Sequence, residues 1–163
     1  MIFITRKIEF SAGHRLFNPN FSDEQNKATF GLCNNPNGHG HNYVLEVTLS
    51  GEVCNDTGMV FDLKELKKLT QREIIDKVDH KNLNVDVDFM NNTIPTAENI
   101  AIKIWEMLQP KIENGTLHQL KLYESERNFV TYRGKSIEEL LKMNNLIMKL
   151  LTLHMDNPKK LMN

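Results

Sequence analysis

Residues 2–12 alternate, with Ile2, Ile4, Ile8, Phe10 and Ala12 on one parity and Thr5, Lys7, Glu9 and Ser11 on the other. Period two with one apolar side predicts a half-buried strand. The pattern returns over 39–50, where Tyr43, Leu45, Val47 and Leu49 stand opposite Glu46, Thr48 and Ser50. Between them, 13–38 is rich in Asn, Gly, Pro and Ser and reads as a long loop, which a compact domain keeps only for function. Past the turn chemistry of Asn55-Asp56-Thr57-Gly58, Asp62 is an N-cap, and Leu63, Leu66, Thr70, Ile74 and Val78 recur at helical spacing. Residues 82–92 are loop-like. Thr96 caps a second helix with an apolar stripe of Ile100, Ile104, Met107 and Leu108, ending by Pro110. Two short alternating strands follow at 117–124 and 128–133.

This order predicts an α+β fold: a four-stranded antiparallel sheet with both helices on one face. Such a sheet leaves edges and a face that need cover, so self-association is expected. From 135 to 163 the pattern changes. Ile137, Leu140, Leu141, Ile147, Met148 and Leu151 form an amphipathic stripe, predicting a C-terminal helical extension on a domain of residues 1–134.

Composition narrows the function classes. The 163 residues suit one domain with an appendage. A net charge of −1 argues against a dedicated nucleic-acid binder, which needs a basic field. Two cysteines cannot make a disulfide scaffold. No apolar run approaches the ~18 residues of a membrane span, and the start MIFITRKIEF lacks the charge-then-apolar order of a signal peptide. Lys142 and Lys149 give the tail too thin a basic face for a membrane surface. A soluble, cytoplasmic protein is expected.

The histidines carry the first chemical signal. His39 and His41 are two apart on a strand, on the parity of Tyr43 and Leu45, so both rings face the buried side. His14 continues the parity of Phe10 and Ala12. Three imidazoles aimed at one interior outline a zinc site with an open fourth position. An isolated His-x-His on a strand is more often structural, and it is His14 that tips the reading. Glu124 shares parity with Leu120 and Leu122, so its carboxylate either bonds donors on the apolar face or reaches solvent from a strand end. An N–H/NH2 edge of a guanidine-like heterocycle would suit it. Cys33 is open between a zinc ligand, a nucleophile, a base and an idle thiol. Asp79-His80 could be a proton-transfer pair or an ordinary helix ending. Cys54, His118 and His154 carry no assigned chemistry.

Together these segments resemble the 6-pyruvoyl-tetrahydropterin synthase family. The likeness rests on Cys33-Asn34-Asn35-Pro36-Asn37-Gly38-His39-Gly40-His41-Asn42-Tyr43, Phe10-Ser11-Ala12-Gly13-His14-Arg15, Thr57-Gly58-Met59-Val60-Phe61-Asp62-Leu63, Asp79-His80, Pro95-Thr96-Ala97-Glu98-Asn99 and Leu122-Tyr123-Glu124, in order over residues 1 to about 134. The resemblance implies the tunnelling fold, with trimers closing a barrel and stacking as a homohexamer with active sites between subunits. It places zinc on His14, His39 and His41, a proton-accepting thiol at Cys33 and a relay pair at Asp79 and His80. The pterin anchor falls on Glu124, with Thr96 and Glu98 lining its pocket. The implied reaction converts 7,8-dihydroneopterin triphosphate to 6-pyruvoyl-tetrahydropterin with loss of triphosphate.

Within the family, relatives that make 6-carboxy-tetrahydropterin usually have three residues between Cys and His-Gly-His. Here there are five, Asn34 to Gly38, favouring the pyruvoyl branch. No Glu lies between Cys33 and His39, against the folate-related branch. Two other classes compete. A cupin would use His39, His41 and Glu46, but parity puts Glu46 on the opposite face. A non-catalytic binding module would close Cys33 with the three histidines into a structural zinc site.

Overall fold

The structure, a computed structural model, describes residues 1–135 together with Lys142, Asn145 and Leu146. The chain divides into two units, Met1–Arg133 and Gly134–Asn163, and the architecture below is that of the first. In the second, Lys142, Asn145 and Leu146 are helical, while the apolar stripe expected of the extension lies outside the described residues.

Alternation builds the sheet. Strand β1, Ile2–His14, pairs antiparallel with β2, His39–Gly51, over its whole length. Phe10, Ala12 and His14 are buried on the sheet face shared by Tyr43, Leu45, Val47 and Leu49. Across the pair, the Thr5 and Thr48 hydroxyls stand 2.8 Å apart, a cross-strand contact of roughly 0.2–1 kcal/mol. Strand β4, Thr116–Tyr123, lies antiparallel on the other side of β2, and β5, Phe129–Tyr132, closes a hairpin with it. A register shift between Thr48 and Leu49 skips His118, so Leu117 and Leu120 share the buried face despite their opposite parity.

Two corrections to the expected fold follow. The sheet has five strands and is mixed, in the order β3-β1-β2-β4-β5. The added strand β3, Lys81–Asn82, runs parallel to β1 at Ala12 and Gly13. Its two residues are too few for any periodic signal, and contacts of Asp79 and His80 with β1 place it. The second correction is in 13–38, which holds helix α1, Asp23–Phe30, and a 3-10 turn, Gly31–Asn34. Ser22 and Gln25 cap α1 reciprocally, each side chain accepting from the other's backbone N–H.

The expected helices form. Asp62 caps α2, Leu63–Thr70, which runs through a π turn, Gln71–Ile75, into α3, Asp76–Val78. Thr96 caps α4, Ala97–Leu108. One core joins Phe10, Tyr43, Leu45, Leu120 and Leu122 of the sheet to Leu66, Ile74, Ile100 and Ile104 of the helices. The histidines sit where this apolar face reaches the end of β1 and the start of β2. Among the described residues no helix is long and apolar enough to cross a membrane.

Candidate functional site

The β1–β2 register sets His14 opposite His39 and Ala12 opposite His41, so two strand ends deliver three imidazoles to one corner of the core. Nε2 of His14 lies 3.1 Å from Nε2 of His39, and one ligating atom of each ring falls within 4.8 Å of the others. His14, 1% exposed, donates from Nδ1 to the Pro95 carbonyl at 2.7 Å, which leaves the lone pair on Nε2 turned toward the other rings. The Tyr43 hydroxyl is 3.5 Å from the same Nδ1, too long to rival the carbonyl. Nε2 of His41 and Nδ1 of His39 are buried without a hydrogen-bond partner. Burial is the main cause that lowers the pKa of His14 and of His41 below the usual histidine range. Three imidazole nitrogens converging on one small volume fit a divalent metal ion, since metal–imidazole bonds of about 2.0–2.1 Å span such separations.

Glu124 stands just beyond β4, where its N–H donates to the Asn128 carbonyl at 3.0 Å in the turn before β5. Its Oε1 reaches to 3.5 Å from His41 Nε2 and 3.6 Å from His14 Nε2. The parity argument for an inward carboxylate therefore holds. Thr96, Glu98 and Glu124 line one cavity of about 640 Å³, together with Phe30, Arg127 and Phe129. That size suits a small heterocyclic ligand. The three residues expected to bind substrate thus share one space beside the histidines.

Asp79 and His80 form a second constellation at the β1 edge. Asp79 Oδ1 accepts the Ser11 N–H at 2.8 Å, and the His80 N–H donates back to the Ser11 carbonyl at 2.6 Å. This bracket holds His80 at φ 57°, an uncommon conformation for a residue with a side chain. His80 Nδ1 lies 3.0 Å from Asp79 Oδ2, and the ring is 82% exposed. The Ser11 amide, then His80, hold the Asp79 carboxyl below its usual range. His80 lines a different cleft, of about 590 Å³, with His41, Asn42 and Lys81.

Cys33 lies in the 3-10 turn, half-buried and free. Among the described residues the metal-capable cluster comprises the three histidines and not this thiol, which removes support from the closed Cys–His structural site. Its backbone is fixed: the Cys33 carbonyl accepts from Leu16 N–H at 2.9 Å, and Arg15 binds the carbonyl and side chain of Asn34 at 3.0–3.2 Å. Sequence reading gave no role to Arg15, Asn34, Ser11 or the Pro95 carbonyl. Arg15 was visible in its motif, but backbone acceptors leave no residue-type signal.

The sequence model of 6-pyruvoyl tetrahydropterin synthase matches residues 3–135. The chain is 47% identical over 132 residues to the 6-pyruvoyl tetrahydrobiopterin synthase of Homo sapiens, covering 81% of this chain and 91% of that protein. It is 34% identical over 149 residues to a 6-carboxy-5,6,7,8-tetrahydropterin synthase of Rickettsia typhi, covering 80% and 99%. The solved Caenorhabditis elegans 6-pyruvoyl tetrahydropterin synthase superposes with a TM-score of 0.78 at 46% identity, covering 82% of this chain and 96% of that one.

Proposed function

The chain belongs to the 6-pyruvoyl tetrahydropterin synthase family, and on that premise we propose that it converts 7,8-dihydroneopterin triphosphate to 6-pyruvoyl-tetrahydropterin with release of triphosphate. It is then a phosphorus–oxygen lyase. The observation that carries this reading is the position of Glu124 between the three histidines and the cavity of Thr96 and Glu98. A ring held there by its N–H/NH2 edge would put its side chain against the imidazole cluster.

His14, His39 and His41 would hold zinc, their donor set matching its preference for nitrogen ligands. When bound, the metal supplies Lewis acidity toward the substrate's side-chain hydroxyls, acidifying the adjacent C–H. The chain's own groups do the rest. Glu124 accepts from the pterin edge and fixes the reacting carbons. The Cys33 thiolate takes the activated proton, with the Arg15–Asn34 clamp holding its loop. His80, its Nδ1 oriented by Asp79, shuttles protons and assists departure of triphosphate. The family resemblance implies active sites between subunits, so His80, exposed in the single chain, would act on a neighbouring subunit's Cys33. The assembly proposed is a homohexamer with intersubunit sites, checked by sedimentation. Residues 1–134 are proposed as the synthase domain, 135–163 as its appendage and the cytoplasm as its location.

The carboxy-forming alternative ranks below this one. The Cys33–His39 spacing and the higher identity to the human pyruvoyl-type enzyme both favour the pyruvoyl product. Product identification by mass after incubation with 7,8-dihydroneopterin triphosphate tests the proposal. A pyruvoyl-pterin with stoichiometric triphosphate is expected, from protein carrying about one zinc per chain. A carboxy- or hydroxymethyl-pterin would overturn it.

A further inference from the structure

We propose that Asn84 is a positioning residue for Cys33 and acts through Arg15. The inference rests on the function proposed above and adds to it a residue from outside the site's own side chains. Strand β1 ends at His14, so the backbone N–H and C=O of Arg15 lie beyond its ladder and need other partners. The Asn84 side chain supplies both. Its Oδ1 accepts the Arg15 N–H at 2.7 Å, and its Nδ2 donates to the Arg15 carbonyl at 2.9 Å. A carboxamide donates and accepts as a peptide group does, so one side chain satisfies both backbone groups at once. Asn84 is itself anchored. Its N–H donates to Asn82 Oδ1 at 2.9 Å, the Asn82 N–H donates to Asp86 Oδ2 at 2.8 Å, and the Leu83 N–H donates to the Gly13 carbonyl at 2.8 Å.

From this fixed backbone the Arg15 side chain reaches the turn that carries Cys33. Nε donates to the Asn34 carbonyl at 3.0 Å and Nη2 to Asn34 Oδ1 at 3.0 Å, while the guanidinium stacks over the Phe17 ring at 4.4 Å. A guanidinium grips as a rigid planar fork, so its aim is set by the backbone that bears it. Leu16, next in the chain, donates its N–H to the Cys33 carbonyl at 2.9 Å. Residues 15 and 16 therefore hold the carbonyls of both Cys33 and Asn34, and Asn84 holds residue 15. Among the described residues no hydrogen bond of Asn84 reaches Cys33 or a histidine of the cluster, and Asn84 does not line the cavity of Thr96, Glu98 and Glu124. It acts on turnover through position alone, where a misplacement of about 1 Å costs up to about 100-fold.

Two variants test this in the full-length, zinc-loaded protein. Asn84→Ala removes both bonds to Arg15, and Asn84→Asp keeps the acceptor but loses the donor. Each is compared with wild type in turnover of 7,8-dihydroneopterin triphosphate and in alkylation by iodoacetamide, followed peptide by peptide by mass spectrometry. The exposed Cys54 serves as the internal reference. For Asn84→Ala, kcat is expected to fall at least about tenfold with KM within about twofold of wild type. The half-buried Cys33 should be alkylated at least about threefold faster while the Cys54 rate holds. Asn84→Asp should fall between the two. An unchanged Cys33 rate in the folded variants would overturn the proposal. So would a raised KM at constant kcat, or equal acceleration at both cysteines, which marks general loosening. Should Asn84→Ala fail to fold, the isosteric Asn84→Asp decides by the same readings. A wild type without turnover counts against the pterin reading instead, and the two alkylation rates still decide whether Asn84 positions Cys33.

Discussion

Two histidine constellations lie close in this fold and are built on opposite plans. His14, His39 and His41 are delivered by paired strand ends, sit at the margin of the core, and leave Nδ1 of His39 and Nε2 of His41 buried without a hydrogen-bond partner. Asp79 and His80 are held by backbone contacts at the sheet edge, are paired to each other, and leave the imidazole 82% exposed. The first set is complete within the chain except for a cation. The second is complete as a pair and needs something to act on. Burial makes a ligand set, whereas exposure with a fixed partner makes a mobile proton's donor and acceptor.

Removing a member of each set should break them differently. His39→Ala is expected to have the largest effect. Zinc affinity should fall by more than about 100-fold, beyond what loss of an outer-shell partner costs, and turnover should drop to background. Metal analysis after dialysis measures the first, and full zinc retention would refute the ligand assignment. His80→Asn comes next. Asn tolerates the positive φ of this position, so the backbone bracket survives. Turnover should fall by about 10²–10⁴, with zinc content unchanged and stability within about 0.5 kcal/mol. A variant that lost zinc instead would merge the two constellations into one.

What the sequence revealed of each set follows the same divide. Parity along 2–14 and 39–50 placed Phe10, Tyr43 and the three histidines on one face, and the register confirms it, because a strand offers only two faces. Glu124 was legible for the same reason. The five-stranded mixed sheet was not, since β3 owes its existence to Asp79 and His80 rather than to any pattern of its own. Helix α1 was hidden by the polar composition of 13–38, although Ser22 and Gln25 carry a capping-box spacing that marks its start. Pairing of Asp79 with His80 required the Ser11 bracket, and adjacency in sequence could not supply it. Nothing in the residue types announced Pro95 as the acceptor that fixes the His14 tautomer.

Acid should separate the two sets again. In metal-free protein, burial lowers the pKa of His14 and His41 from the ordinary 6.5, so the folded chain binds fewer protons there than the unfolded chain. Their contribution is full above pH 6.5 and is lost as pH falls below it, with a slope of at most about 1.4 kcal/mol per pH unit for each ring. Zinc affinity should fall in the same direction. Asp79 acts in a lower window, since its carboxyl is depressed from 3.8 and contributes above that value, losing its effect as pH drops through the folded pKa. Denaturant titrations between pH 7 and 4 should therefore show destabilisation in the wild type that His41→Ala reduces and Asp79→Asn leaves in place. The reverse result would put the acid-sensitive group at the sheet edge.

The smallest effect sharpens the comparison most, because it asks which partner orients a ligand. Tyr43 is fully buried, with its hydroxyl 3.5 Å from His14 Nδ1, while the Pro95 carbonyl takes the same nitrogen's proton at 2.7 Å. Burial pushes the phenol far above its usual range, with Glu124 and Cys33 adding to the shift, so it stays protonated throughout the working pH range. If the carbonyl alone sets the tautomer, Tyr43→Phe removes a weakly bonded hydroxyl and changes stability by no more than about 1 kcal/mol. Zinc affinity should then stay within about threefold of wild type. A loss of tenfold or more, of the size expected for an outer-shell partner, would show that the hydroxyl shares the work of the carbonyl. The buried cluster would then depend on a side-chain network, as the Asp79–His80 pair does.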